Sequence, residues 1–293
     1  MIKVAVTGAS GFIGRYVLSE LANHPVEIMA ISRESDRKLP LLDNGCWVQF
    51  DIGKPPVNVF NLMNRPDVLI HLAWQGLPNY QSQHHVETEL PSQYTFLKQV
   101  LSQGLKSLVV TGTCFEYGMQ SGSLSEEDET RPDNPYGLAK NTLRQQLECL
   151  KAAHQFKLTW ARLFYMYGDG QPSNSLWPQL KSAVEQGKAE FNMSGGEQLR
   201  DYLHVSKVAR QLVALALKQQ DIGVINLCSG KPLSLKKIVE YMITLSGEMM
   251  WRIIRKVFST ILRLENYTRM LIMCFMLLQR HALVPQSRIR SMQ

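Results

Sequence analysis

The sequence predicts an α/β protein, a doubly wound parallel sheet followed by a smaller C-terminal lobe. Three observations predict it. Short runs rich in Val, Ile and Leu recur from Ile2 to Gly230, separated by stretches of helical spacing. A glycine-rich turn stands directly after the first run. The length, 293 residues, suits one large domain with a second, smaller lobe.

Ile2-Lys3-Val4-Ala5-Val6 is short, β-branched and apolar, as a buried parallel strand should be. Thr7-Gly8-Ala9-Ser10-Gly11-Phe12-Ile13-Gly14 follows at once, with glycines spaced Gly-x-x-Gly-x-x-Gly. Gly8 suits a tight turn, and Gly11 lets a diphosphate reach backbone N–H groups at a helix N-terminus. Gly14 lets the helix lie close on the strand. Ser10, Phe12 and Ile13 complete this expected dinucleotide-binding turn, and Arg15 to Ala22 continues it as a helix. Val26 to Ile31 is the second strand. An acid at its end would bond the ribose 2′-hydroxyl of NAD, whereas an arginine accommodates the 2′-phosphate of NADP. Ser32-Arg33 points to NADP, with Glu34 beside it and NAD the alternative.

Trp47 to Phe50 is the third strand, and Asp51, next to Ile52, is placed to accept from an adenine amino group. Val68 to Ala73 is the fourth, bringing Leu72 and Ala73 to where the dinucleotide passes. Trp74 and Tyr80, in the loop beyond, stack on a substrate or cap the core. Leu108 to Thr111 is the fifth strand and delivers Thr113 to its carboxyl end, the edge where open parallel sheets bind ligands. Tyr136-Gly137-Leu138-Ala139-Lys140 sets a phenol and an ammonium on one helix face. The nearby ammonium is expected to lower the tyrosine pKa and make it a usable acid or base. Leu158 to Leu163 returns as a strand. Helices follow at 175–187 and 205–219, then a late strand at 225–230 and a helix at 235–245.

Thr7 to Gly14, Asp51, His71-Leu72-Ala73, Thr113-x-x-x-Tyr117-Gly118, Tyr136-x-x-x-Lys140 and Arg200-Asp201-Tyr202-x-His204-Val205 occur in order. This series resembles the extended short-chain dehydrogenase/reductases of the nucleotide-sugar branch, the NAD-dependent epimerases and dehydratases, over residues 1 to 247. The resemblance implies a Rossmann-type sheet with a substrate lobe. It implies Tyr136 as the acid/base, Lys140 on the nicotinamide ribose, Thr113 orienting the reacting oxygen and Arg200 pairing with a substrate diphosphate. It also implies that Trp74 and Tyr165 line the sugar site. Residues 1–165 are then mainly the dinucleotide-binding domain and 166–247 mainly the substrate lobe with returning sheet elements.

Departures narrow the reaction. The 4,6-dehydratases place Asp-Glu directly after the threonine, where this chain has Cys114-Phe115; Glu116 comes one residue late and is expected to point elsewhere. Tyr165 stands where many relatives hold the substrate with an asparagine. Trp74-Gln75-Gly76-Leu77-Pro78 and Gly112-Thr113-Cys114-Phe115-Glu116-Tyr117-Gly118 are similar to the dTDP-6-deoxyhexose 4-ketoreductases. The resemblance therefore implies NAD(P)H-dependent reduction of a nucleotide-linked 4-keto-6-deoxyhexose, in deoxysugar and O-antigen assembly. A 4-epimerase with bound NAD and a non-catalytic dinucleotide-binding protein are the alternatives.

Five unevenly spaced cysteines show no metal-ligand pattern beside seven histidines and imply a reducing cytoplasm. No metal and no nucleic-acid partner is expected, and a homodimer is compatible with the family. No signal peptide is expected, since the first strand begins at the N-terminus. No apolar run reaches the about 18 residues of a membrane span. Residues 248–293 break the pattern: eight Arg/Lys against two Glu contribute +6 of the net +7, with six of the 13 methionines and no glycine. A frameshifted end, an amphipathic packing or oligomerising helix, and a basic membrane or nucleic-acid contact are its three readings. Outside this tail the chain is nearly neutral, so the net charge says little about the core's partner.

Overall fold

The central strands are apolar at consecutive positions because helices cover both faces of their sheet. In the computed structural model the described residues are 1–33, 42–188, 191, 196–241 and 243–244. In chain order the elements are β1 (Ile2–Thr7), α1 (Phe12–Leu21), β2 (Val26–Ser32), β3 (Gly45–Gln49), α2 (Val59–Leu62) and β4 (Val68–His71). A π-helical turn at His85–Glu89 leads into α3 (Leu90–Ser102), then β5 (Ser107–Thr113) and a 3-10 turn at Cys114–Glu116. There follow α4 (Pro135–Leu150), β6 (Lys157–Leu163), β7 (Tyr165–Tyr167), α5 (Leu176–Glu185), β8 (Leu199–Arg200), β9 (Tyr202–His204), α6 (Val205–Lys218), β10 (Gly223–Leu227) and β11 (Leu233–Ser234). Residues 235–241 are helical. Glu34, the end of the late helix and the basic tail of 248–293 lie outside the described residues.

Seven parallel strands form one sheet in the order β10-β6-β5-β4-β1-β2-β3. The order reverses between β1 and β4, the switch point at which doubly wound sheets open a crevice. Side chains alternate between the two faces. Val4, Val6, Ile28, Ala30, Val68 and Ile70 join Val17 and Leu21 of α1 and Val208 and Leu212 of α6 in one core. Ala5, Met29, Ile31 and Leu69 point the other way, to Phe96 and Val100 of α3 and Leu143 and Leu147 of α4. Two strand ends come earlier than the apolar runs suggest. β4 stops at His71, and the Leu72 N–H makes the last bond to β1, at the Thr7 carbonyl, 3.2 Å away. β10 stops at Leu227, and the Ser229 N–H beyond it bonds the Asp201 carboxylate at 2.6 Å.

The contacts divide the chain into two compact units. The first takes residues 1–171 and 201–232, and holds the seven-stranded sheet and the parallel pair β7–β9. The second takes 172–200 and the residues from 233, with α5 and the antiparallel pair β8–β11. No helix among the described residues is long and apolar enough to cross a membrane.

Candidate active site

Parallel strands deliver their carboxyl ends to one edge of the first unit, so the predicted cofactor residues meet there although they are far apart in sequence. Gly8 takes φ 68°, and a Cβ on it would lie 2.8 Å from the Ala73 nitrogen. The turn after β1 therefore presses against the end of β4 as no other residue would allow. A Cβ on Gly14 would come within 2.6 Å of the Ala9 carbonyl, so the first turn of α1 packs on that loop. Gly11 is the N-cap of α1 and no side chain caps it. Bare backbone N–H groups at a helix N-terminus, with no Cβ in front of them, fit a diphosphate. Ser10 is exposed, Phe12 and Ile13 half-buried. Ser32 is buried at the end of β2 and Arg33 exposed beyond it, where its carbonyl accepts from Gln49 Nε2 at 3.1 Å. Asp51 is exposed, its Oδ1 accepting from the Gly53 N–H at 2.9 Å, and Ile52 beside it is buried. These residues fit a nicotinamide dinucleotide.

The proton-handling residues assemble at the same edge. Asn134 caps α4 by accepting from the Gly137 N–H at 2.9 Å, and Pro135 opens the helix. Tyr136 and Lys140 then rise on one face, both buried. The Thr113 side chain, at the end of β5, faces the Tyr136 phenol and pulls it toward the phenolate. Lys140 Nζ donates to the Thr111 carbonyl at 2.8 Å and lies 4.0 Å from the centre of the Trp74 ring. The cation therefore has an aromatic face for a partner as well as a carbonyl.

The electrostatics differ from the expectation for Tyr136. Burial first, then Tyr80, Glu116 and Cys114, push its phenol far above the usual tyrosine range. Lys140 does not lower it: Nζ stands 6.0 Å from the Tyr136 ring, and burial pushes Lys140 itself down to about 7, against the upward pull of Glu116 and Glu89. Tyr136 thus stands protonated at neutral pH, a donor waiting for a developing anion.

Several site residues carry no local signal in the sequence. Rings crowd Tyr136, with centroids of His85 at 5.2 Å, Tyr80 at 5.5 Å and Trp74 at 5.9 Å. Trp74 Nε1 donates to His85 Nδ1 at 3.0 Å, and His85 Nε2 donates to the Asn79 carbonyl at 2.8 Å. Trp74 is therefore held by its loop and by the π-helical turn, and it caps Lys140. Beneath it, Glu89 Oε2 accepts from Gln93 Nε2 at 2.9 Å, which fixes the amide so that Gln93 Oε1 accepts from His71 Nε2 at 2.6 Å. His71 Nδ1 then accepts from the Thr7 hydroxyl at 2.8 Å, and burial pushes His71 down to about 3. The chain joins the ends of β1 and β4 through neutral groups.

Glu116 sits in a 3-10 turn and not in a strand, and its carboxylate folds back to accept from the Thr113 backbone N–H. Tyr165 on β7 meets Phe115 and Tyr202, with centroids at 6.3 and 5.4 Å. Arg200 lies on β8 in the second unit, and one of its guanidinium nitrogens donates to the Leu199 carbonyl at 3.0 Å.

A glycine-lined turn at a sheet switch point, with a threonine, tyrosine and lysine at the adjoining strand end, defines a dinucleotide-dependent oxidoreductase. The chain belongs to the NAD dependent epimerase/dehydratase family, whose model matches residues 4–228. It is 31% identical over 241 residues to the dTDP-6-deoxy-L-talose 4-dehydrogenase (NAD(+)) of Aggregatibacter actinomycetemcomitans, covering 82% of this chain and 88% of that protein. It is 23% identical over 254 residues to the dTDP-4-dehydro-6-deoxyglucose reductase of Escherichia coli, covering 81% and 79%. Among solved structures it is similar to MoeE5 in complex with UDP-glucuronic acid and NAD (TM-score 0.72, 28% identity, 84% and 82% covered). The fold is also that of the UDP-glucose 4-epimerase of Thermotoga maritima (TM-score 0.73, 22% identity, 84% and 83% covered).

Proposed function

We propose that the protein interconverts a 4-keto and a 4-hydroxy group on a nucleotide-linked 6-deoxyhexose, a dTDP-sugar, and runs as an NAD(P)H-dependent reductase. The carrying observation is the placement of Thr113 and the Tyr136 phenol together at one sheet edge, with Lys140 buried below. A 4-dehydrogenase and a 4-keto reductase work one redox couple in opposite directions, so the names of the two dTDP-sugar relatives support the same chemistry. A nicotinamide, when bound, supplies or accepts the hydride. Tyr136 gives its proton to the oxygen on C4, and the Thr113 hydroxyl holds that oxygen against the phenol. Lys140, buried below, supports holding the nicotinamide ribose. Trp74, Tyr80 and His85 exclude water from the proton path, which strengthens each of these interactions.

The protonated state of the phenol favours the reductive direction. Ser32-Arg33 at the end of β2 supports NADP, and Arg200, in the motif carrying Asp201 and Tyr202, supports pairing with a diphosphate. A cytoplasmic role in deoxysugar assembly for surface polysaccharide follows from that substrate. The test is near-ultraviolet absorbance of NADPH, and of NADH in parallel, on mixing with dTDP-4-keto-6-deoxyglucose. Oxidation that stops when the sugar is consumed supports the reductase and decides the coenzyme. A cofactor that copurifies, never exchanges and shows no net oxidation would overturn it in favour of a 4-epimerase.

A further inference from the structure

Glu116 is wholly buried, and its carboxylate serves three donors. Oε1 accepts from the Thr113 backbone N–H at 2.8 Å, and Oε2 from Arg162 Nε at 2.8 Å. The Trp160 indole N–H reaches both oxygens, at 2.9 and 3.1 Å. Thr113 Oγ1 in turn accepts from the Phe115 N–H at 3.3 Å, so Thr113 and Glu116 close a reciprocal capping box around a single 3-10 turn. The residue that meets the Tyr136 phenol is thus pinned at its backbone nitrogen and at its hydroxyl. Arg162, itself 2% exposed, backs the carboxylate while stacking 4.4 Å from the centre of the Tyr117 ring. Gly112 belongs to the same arrangement, because a Cβ there would collide with the Glu116 carboxylate and the Trp160 indole. A buried ion pair of this kind is often replaceable by apolar side chains at little cost in stability. Stability alone therefore does not account for a carboxylate at this place.

We propose that Glu116 is a positioning residue for proton transfer: its capping box fixes the Thr113 hydroxyl beside Tyr136. The proposal rests on the acid/base reading of Thr113, Tyr136 and Lys140. The groups facing Lys140 are Glu116 from the turn after β5, Glu89 from the π-helical turn, His71 on β4 and Tyr136 on its own helix. Tyr80 and Cys114 also face Tyr136, and Arg162 offsets part of the Glu116 charge.

Two double variants separate position from charge. Glu116→Gln/Arg162→Met keeps an amide oxygen for the Thr113 N–H and removes both charges. Glu116→Met/Arg162→Met removes the acceptor as well. Thermal melts and cofactor titration establish that each is folded. The Gln/Met protein is expected to hold kcat within about threefold at its own optimum. The Met/Met protein should lose about 10- to 100-fold in kcat with KM and cofactor affinity within about threefold. Wild-type kcat and pH profile in the Met/Met protein, or a Gln/Met protein as slow as the Met/Met one, would overturn the proposal. Absence of turnover in the wild type would instead sink the reductase reading, while exchange of the Thr113 N–H, protected in the Gln/Met protein and fast in the Met/Met protein, still decides whether residue 116 pins Thr113.

Discussion

Burial and the neighbouring Tyr80, Glu116 and Cys114 hold the Tyr136 phenol above its ordinary range, with the Thr113 side chain pulling the other way. Tyr136→Phe should therefore lower kcat by about 10²- to 10⁴-fold with the cofactor dissociation constant unchanged. Steady-state kinetics beside cofactor titration checks both halves; turnover above a tenth of wild type would remove Tyr136 from the mechanism. Gly112→Ala places a methyl against the Glu116 carboxylate and the Trp160 indole. It should destabilise the fold by about 1–3 kcal/mol, read from chemical denaturation. Thr113, Tyr136 and Lys140 were legible because a four-residue spacing on a helix and a hydroxyl at a strand end are local patterns. Trp74 was named but its role was left open between stacking and capping; its ring caps Lys140. His85, Glu89 and Gln93 were not legible. Their partners Trp74 and His71 come from other elements, and no spacing announces a hydrogen bond between elements.

At the scale of elements, two helix starts set the site. Asn134 and Pro135 fix where α4 begins, and with it the face on which Tyr136 and Lys140 stand. Asn134→Ala should cost about 1 kcal/mol of stability through the lost cap. It should also lower kcat more than KM, because the fraying turn carries Tyr136; a purely thermal effect with kcat intact would show that the cap does not steer the site. Gly14→Ala drives a methyl into the loop after β1. The expected outcome is cofactor affinity weaker by about tenfold or more, measured by fluorescence titration, with the sheet's circular dichroism retained. The apolar runs predicted the strands of the large sheet well because burial on both faces makes them continuously hydrophobic. The short pairs β7–β9 and β8–β11 were missed, since two or three residues leave no periodicity to read. The π-helical turn at His85–Glu89 was missed too, since its sequence reads only as polar loop.

Across the whole molecule, two buried bases make stability depend on pH. His71 is pushed down to about 3 in the folded protein, against 6.5 for the ordinary side chain. Between those values the unfolded chain binds the extra proton, so stability is lost as pH falls from 6.5 toward 3, by about 1.4 kcal/mol per unit at most. Denaturation curves at stepped pH should show this slope in the wild type and a flatter one in His71→Gln. Lys140 acts on the other side. Its folded value of about 7 lies below the ordinary 10.5, so its contribution rises with pH between the two, and Lys140→Met should lack that rise. The sequence by itself determined the doubly wound fold and the glycine turn, and marked Thr113, Tyr136 and Lys140 as candidates, because these rest on local spacing, strand hydrophobicity and backbone sterics. The tertiary structure alone decided that burial pushes the Tyr136 phenol up, that the Trp74 ring lies against Lys140, and that Glu116 bonds the Thr113 N–H. Those outcomes depend on burial and on which charges meet across the sheet edge, and the solvation of a group is a property of its neighbours in space.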